Sequence, residues 1–258
     1  MQNRTVLITG ASAGIGRELA QVFAREGYDL VLVARSKDKL STLASSLSHR
    51  YGVEAVPLAC DLGRPEAAAA LFAETEQQNL RIDVLVNNAG ILCEGDFASG
   101  SAARYLELLH VNVLGPVALT HLFLPPMLQR GHGKIMNVAS IAAFQPLPRW
   151  ALYSASKAFL LHFSEALSEE LRGSGVTATA LCPGFTETDM LNERQAGWPP
   201  PFAVSRAEEV ALDGFRACMS GAPLHVSGAA NQMLTQMVRW QPRWLVRALT
   251  GVAARNYR

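Results

Sequence analysis

The sequence predicts an α/β protein: a doubly wound parallel sheet in a single domain with a helical C-terminal extension. Two observations carry this. Six short apolar runs, near residues 5 to 9, 29 to 33, 55 to 59, 83 to 87, 134 to 139 and 176 to 181, alternate with helical segments, the rhythm of strand-helix-strand units. The chain has 258 residues, enough for one domain with a full core, and its 49% hydrophobic content permits a sheet buried on both faces.

The first run, Thr5-Val6-Leu7-Ile8-Thr9, reads as a buried strand and passes into Gly10-Ala11-Ser12-Ala13-Gly14-Ile15-Gly16, with a helical pattern from Arg17 to Arg25. Strand, glycine turn, helix is an order that cradles phosphate. Glycines let the backbone approach a pyrophosphate, and the free N–H groups at the helix start favour its charge. The spacing is Gly-x-x-x-Gly-x-Gly rather than Gly-x-Gly-x-x-Gly, and a plain tight turn is the alternative.

The second run, Tyr28 to Arg35, is a strand whose far end should face an adenosine ribose. A carboxylate there suits the ribose of NAD, whereas arginine accommodates the 2′-phosphate of NADP. Ala34-Arg35 favours NADP, Lys37 and Lys39 add positive charge, and Asp29 stands at the wrong end to bind ribose. An arginine past a strand is equally an ordinary solubility choice. A further run, Val84-Leu85-Val86, ends in Asn87-Asn88-Ala89-Gly90, small and amide residues that can line a cofactor or simply form a turn.

After the run from Lys134 to Ala139 and Ser140 comes Tyr153-Ser154-Ala155-Ser156-Lys157. A helix places residues i and i+4 on one face, so a phenol and an ammonium can reach one cleft. Bringing a phenol from pKa ~10 to roughly 7 takes about 4 kcal/mol of preference for the phenolate. One ammonium at ~4 Å supplies ~1 kcal/mol in water and ~4 kcal/mol at an effective dielectric of about 20. The site must then be partly dry or hold a second cation, and an oxidised nicotinamide would be one. Alone, this spacing is more often a surface pair.

Taken together, Thr9 to Gly16, Asp61, Asn87 to Gly90, Asn112, Ser140, Tyr153, Lys157 and Pro183-Gly184 resemble the short-chain dehydrogenase/reductase family, in its compact single-domain branch, over residues 5 to about 190. The resemblance implies a Rossmann-like fold, with Tyr153 as catalytic acid/base and Lys157 lowering its pKa and holding the nicotinamide ribose. It implies that Ser140 bonds the substrate oxygen and that Asn112 holds a water leading from Lys157 to solvent. For NADP(H), preferred over NAD(H), it implies contacts from Gly10, Ser12, Gly14, Ile15 and Gly16 in the turn, and from Arg35, Asp61 and Leu62 on the adenosine side. Asn88, Ala89 and Gly90, with Pro183, Gly184, Thr186 and Thr188, would complete the site beside Tyr153 and Lys157. Ala139 departs from the pattern, since many members carry a second serine there.

The activity implied is NADP(H)-dependent interconversion of a carbonyl and a secondary alcohol on an apolar small molecule. Leu92, Cys93, Phe97, Ile141, Phe144, Leu147 and Trp150 suggest an apolar pocket. The alternative is a nucleotide-responsive binding protein with a retained but unused NADP site, which would have no need of the proton relay.

Net charge +1 leaves no nucleic-acid footprint. Cys60, Cys93, Cys182 and Cys218 lack paired metal spacing and suit reduced core thiols, and the six histidines form no cluster, so no metal is expected. Without a basic-then-apolar leader or an apolar stretch of ~18 residues, a cytoplasmic protein is expected.

From Asp189 to Val204 a polar, proline-rich stretch suits a loop, which in this family covers the substrate. Ser205-Arg206-Ala207-Glu208 has capping-box spacing and opens a helix to about Met219, and Leu224-His225-Val226 suits a seventh strand. The cofactor-binding and catalytic unit spans 1–228, and 229–258 forms the extension, two helices separated at Pro242. In the second, Trp244, Leu245, Ala248, Leu249 and Val252 form an apolar stripe, while Arg239, Arg243 and Arg247 recur every fourth residue. The expected place for that stripe is against the protein's own domain or a sister subunit in a homo-oligomer, a dimer or tetramer. A membrane surface, or a lid over a long apolar substrate, is the alternative.

Overall fold

A computed structural model of the chain describes residues 4–188 and 204–255. Seven parallel strands form the central sheet: β1 (Thr5–Thr9), β2 (Asp29–Ala34), β3 (Ala55–Ala59), β4 (Ile82–Asn87), β5 (Gly133–Val138), β6 (Val176–Cys182) and β9 (Leu224–Val226). Their order is β3-β2-β1-β4-β5-β6-β9. The strand order reverses between β1 and β4, which opens a crevice at their carboxyl ends. All seven expected strands are present within a residue or so of their sequence limits.

Side chains alternate across a strand, so β1 sends Val6 and Ile8 to one face and Leu7 to the other. The first face packs on α1 (Gly14–Arg25) through Leu19 and Phe23, and on α7 (Ala207–Ser220) through Val210 and Ala211. On the second face, Leu7, Val31, Leu85 and Ile135 meet Leu71 of α3 (Ala67–Gln77), Leu119 and Phe123 of α5 (Gly115–Arg130), and Leu167 of α6 (Ala151–Glu170). Both faces are covered, which is why the strands read as unbroken apolar runs. The edge is flanked by α2 (Lys37–Tyr51).

Between α4 (Ala102–Leu109) and α5 lies a π-helical turn, His110–Leu114, so helix runs without interruption from Ala102 to Arg130. This helix is long and apolar enough to cross a membrane, although the sequence shows no unbroken apolar stretch of that length. It lies on the sheet instead, giving Leu119, Phe123 and Met127 to the second core.

Two expectations change. Ser205 does not cap α7: it lies in β8 (Val204–Ser205), paired with β7 (Phe185–Thr186), and its carbonyl accepts from Glu187 N at 3.0 Å. Arg206 stands at the N-cap with no side-chain cap bond. The extension forms α8 (Ala229–Trp240) and α9 (Arg243–Arg255) around Pro242, but within this chain its apolar stripe points outward. Trp244 is 64% exposed and Leu249 61%, and among the described residues of α9 Val246 is the buried side chain. Cys182 and Cys218 are core thiols as expected, whereas Cys60 and Cys93 are half-buried. The loop expected from Asp189 to Val204 lies outside the described residues, apart from Val204.

Candidate active site

The site assembles at the carboxyl ends of β1, β4, β5 and β6. At the end of β1, Gly10 and Gly14 hold φ of 66° and 52°, left-handed conformations that suit glycine. At Gly16 a Cβ would collide with the Gly10 carbonyl. Only glycines permit a turn this tight, and α1 begins from it with no side-chain cap. Its first N–H groups are left for an anion.

The turn is fastened from β4. Thr9 Oγ1 donates to Val86 O at 3.2 Å and accepts from the backbone N–H groups of Asn88 and Ala89, both at 3.0 Å. Asn88 Nδ2 donates to Thr9 O at 2.8 Å and to Gly10 O at 3.3 Å. The Asn88 amide therefore braces the cradle rather than extending from it. Ser12 and Ile15 lie on the cradle, half-buried. Thr188 comes to it from the far side, its methyl 2.9 Å from where a Cβ on Gly14 would stand.

Beyond the end of β3, Asp61 Oδ1 accepts from Gly63 N at 3.1 Å, and the neighbouring Leu62 is buried. Arg35, 67% exposed past β2, lies 3.6 Å from Glu107, which also pairs with Arg104. Asp29 is at the opposite end, accepting from Glu54 N at 2.8 Å. Residues at this end of the sheet thus fit a phosphorylated dinucleotide: a glycine cradle, uncapped helix N–H groups, and an exposed cation beyond β2.

Near the ends of β4 and β5, the π turn carries Asn112, fully buried. Its Oδ1 accepts from Ile91 N at 2.9 Å, and its Nδ2 donates to Ile91 O at 3.0 Å and Ser156 Oγ at 3.1 Å. Ser156 Oγ in turn donates to Tyr153 O at 2.7 Å. Asn112 thereby joins the segment after Gly90 to the first turns of α6. Lys157, one turn beyond Tyr153, is buried, and its Nζ donates to Val138 O at 2.7 Å and lies 5.8 Å from the Tyr153 ring centroid. Burial pushes its pKa down to about 8, with Cys182 acting weakly in the other direction. Gly90 makes room for it, since a Cβ there would be 3.3 Å from Nζ and 3.5 Å from Asn112 Oδ1.

Ser140 caps the 3-10 turn Ile141–Phe144, its Oγ accepting from Ala142 N at 3.1 Å. The next N–H, of Ile141, donates to Pro183 O at 2.9 Å, which sets Ser140 beside Pro183-Gly184. Thr186 Oγ1 donates to Gly184 O at 3.1 Å. Around Tyr153 the walls are aromatic, with the Trp150 ring edge-on to Tyr153 at 6.3 Å and to Phe185 at 6.4 Å. Arg149 adopts φ 68° and accepts from Gly95 N at 2.9 Å, tying the segment that bears Leu92 and Cys93 to the one that bears Leu147 and Trp150. Phe97 stands apart, exposed and stacked on Tyr105 at 4.9 Å.

Beneath the site lies a polar network that the strand patterns alone did not point to. Asn87 Nδ2 donates to Asn137 Oδ1 at 2.8 Å and Thr120 Oγ1 at 3.2 Å, Asn137 Nδ2 donates to Ser164 Oγ at 2.8 Å, and Ser164 Oγ donates to Leu160 O at 2.6 Å. One signal was available: Asn87 and Asn137 are register partners on neighbouring strands, both polar within apolar runs.

The family model for short chain dehydrogenases matches residues 4–198. The chain is 35% identical over 212 residues to ketoacyl reductase HetN of Nostoc sp., covering 82% of this chain and 74% of that protein. It is 30% identical over 251 residues to the very-long-chain 3-oxoacyl-CoA reductase of Rattus norvegicus, covering 93% of this chain and 76% of that one. Among solved structures, the short-chain dehydrogenase of Sphingobium yanoikuyae in complex with NADPH superposes with a TM-score of 0.82 at 34% identity, covering 92% of this chain and 93% of that one.

Proposed function

The chain belongs to the short-chain dehydrogenase family of oxidoreductases, and from that premise we propose that it reduces a ketone on an apolar small molecule with NADPH. The observation that carries the reading is Lys157, a buried ammonium one helical turn from the half-buried phenol of Tyr153, with Ser140 at the end of the neighbouring strand. Burial lowers the pKa of Lys157 only to about 8, still above neutrality, so its charge is present when the phenol must give up a proton.

Gly10, Gly14 and Gly16 would admit the pyrophosphate to the start of α1, Arg35 would face the 2′-phosphate, and Gly90 with Pro183-Gly184 would border the nicotinamide. Bound NADPH would supply the hydride. Ser140 Oγ, already accepting from Ala142 N, turns its own hydrogen toward the substrate oxygen. Tyr153 donates the proton that completes the alcohol, and Lys157 stabilises the phenolate left behind. Asn112, by holding Ser156, fixes the turn of α6 from which Tyr153 projects.

Trp150, Phe185 and Leu147 support an apolar substrate, and the similarity to ketoacyl and oxoacyl-CoA reductases suggests 3-oxoacyl thioesters for a first trial. A panel of 3-oxoacyl thioesters, steroid ketones and aryl ketones, followed by NADPH absorbance, tests the reading. Turnover on at least one class is expected. NADPH binding without turnover on any would favour a nucleotide-responsive binding protein.

A further inference from the structure

The extension presents a surface that the active site does not use. In α8, Met233, Met237 and Trp240 recur at spacings of four and three, which places them on one helix face, and they are 67%, 58% and 85% exposed. In α9, Trp244, Ala248 and Val252 recur every four residues and are likewise exposed, with Leu249 beside them. Arg239, Arg243 and Arg247 are exposed along the same two helices, and among the described residues none of them forms an ion pair. The sequence has no Asp or Glu after Asp213.

We propose that α8 and α9 form a docking surface for an anionic lipid bilayer. Side chains of this kind match that partner at two levels. Tryptophan and methionine enter the boundary between headgroups and acyl chains, and arginines beside them reach lipid phosphates while their stems stay in apolar surroundings. A second copy of the chain fits less well, because a self-complementary contact would bring these uncompensated arginines together with no carboxylate in either extension to meet them.

The surface is also joined to the site. Asn231 of α8 lies against Gly184, and α8 packs on the 3-10 turn that Ser140 caps. A bilayer held by α8 and α9 would stand near the mouth of the reductase, where an apolar ketone could pass from lipid to protein. That last step rests on the proposed reductase activity; the docking does not.

The test is co-sedimentation of the full chain with vesicles of equal parts phosphatidylglycerol and phosphatidylcholine, and with phosphatidylcholine alone. Binding to the anionic vesicles, weakened by salt, is expected, with much weaker binding to the neutral ones. Replacing Arg239, Arg243 and Arg247 together by Gln should weaken partitioning roughly a hundredfold, each arginine near such a surface being worth about fivefold. W240E with W244E should abolish it while thermal unfolding and NADPH binding stay at wild-type values, which separates this result from a failure of the fold or of the reductase reading. A wild-type chain that remains in the supernatant overturns the proposal. So does vesicle binding that survives both sets of substitutions, or a W240E/W244E chain that falls from dimer to monomer by light scattering while the wild type ignores vesicles, which would identify the surface as a contact between copies.

Discussion

Lys157 Nζ donates a 2.7 Å hydrogen bond to the carbonyl of Val138, two residues before Ser140. The ammonium on α6 is thus tied to the strand end that presents the serine, and one bond sets the spacing of the two elements that bear Lys157 and Ser140. It also leaves a cation in the protein interior with a backbone carbonyl as its hydrogen-bond partner among the described residues, and that has a cost visible in pH.

Lys157 titrates near 8 in the fold against 10.5 for an ordinary lysine, because burial disfavours its charged form. Between those values the unfolded chain holds a proton that the native chain lacks, so this group makes stability rise with pH across the window; below about 8 its full cost is present. Cys182 and Cys218, pushed up by burial to about 12, act in the opposite sense above their ordinary value of 9.0. The cysteine contributions carry over to a Lys157→Met variant apart from the minor coupling between Cys182 and Lys157, so comparison reports chiefly on the lysine. In urea unfolding, the variant's stability relative to wild type should decline by about 2 kcal/mol between pH 7 and pH 9.5. A difference that does not change with pH would mean that Lys157 is solvated in the native state.

Tyr153→Phe removes the transferable proton and leaves the glycine cradle untouched. Turnover should fall by ~10²–10⁴ while NADPH affinity, followed by fluorescence titration, changes little. A variant within a few-fold of wild-type turnover would remove Tyr153 from the role of acid.

Arg35 is mostly exposed, and Glu107 already stands 3.6 Å from it. A charge-assisted bond to a 2′-phosphate contributes roughly 1.5–3 kcal/mol, and solvent around this side chain places the effect at the lower end, about tenfold in favour of NADPH. Arg35→Ala should erase most of that preference. Titration of both cofactors decides it, and a wild-type chain that binds NADH more tightly would refute the assignment.

The fold was legible because its signals are local and repeated. A strand buried on both faces shows as an apolar run, as in Val6 to Ile8 or Val84 to Val86, and a phosphate turn shows as glycine at fixed spacing. Residues that act through tertiary contacts left fainter marks. Ser156 looks like any helix serine until Asn112, 44 residues away, is seen to donate to it. Ser205 satisfied a local capping pattern, but pairing of its strand with Phe185-Thr186 placed it outside the helix. The stripe of α9 was equally plain in sequence, yet helical periodicity says which residues share a face and not which way the face turns. Here Val246 faces in and Trp244 faces out.

Gly184 offers the sharpest test of how the extension is coupled to the site. A Cβ at this position would meet the amide of Asn231, with Oδ1 and Cγ both at 2.8 Å, and Asn231 Nδ2 is itself committed to Ser227 O at 2.8 Å. Gly184→Ala should therefore displace Asn231, costing about 1–3 kcal/mol as overpacking does, or about 2–4 °C of melting temperature per kcal/mol in a domain of this size. Trimming the obstacle should restore the fit. Asn231→Ala alone loses one hydrogen bond, roughly 1 kcal/mol, but added to Gly184→Ala it should recover stability rather than lower it further. A double variant less stable than Gly184→Ala would show that the glycine is required for some reason other than the approach of α8.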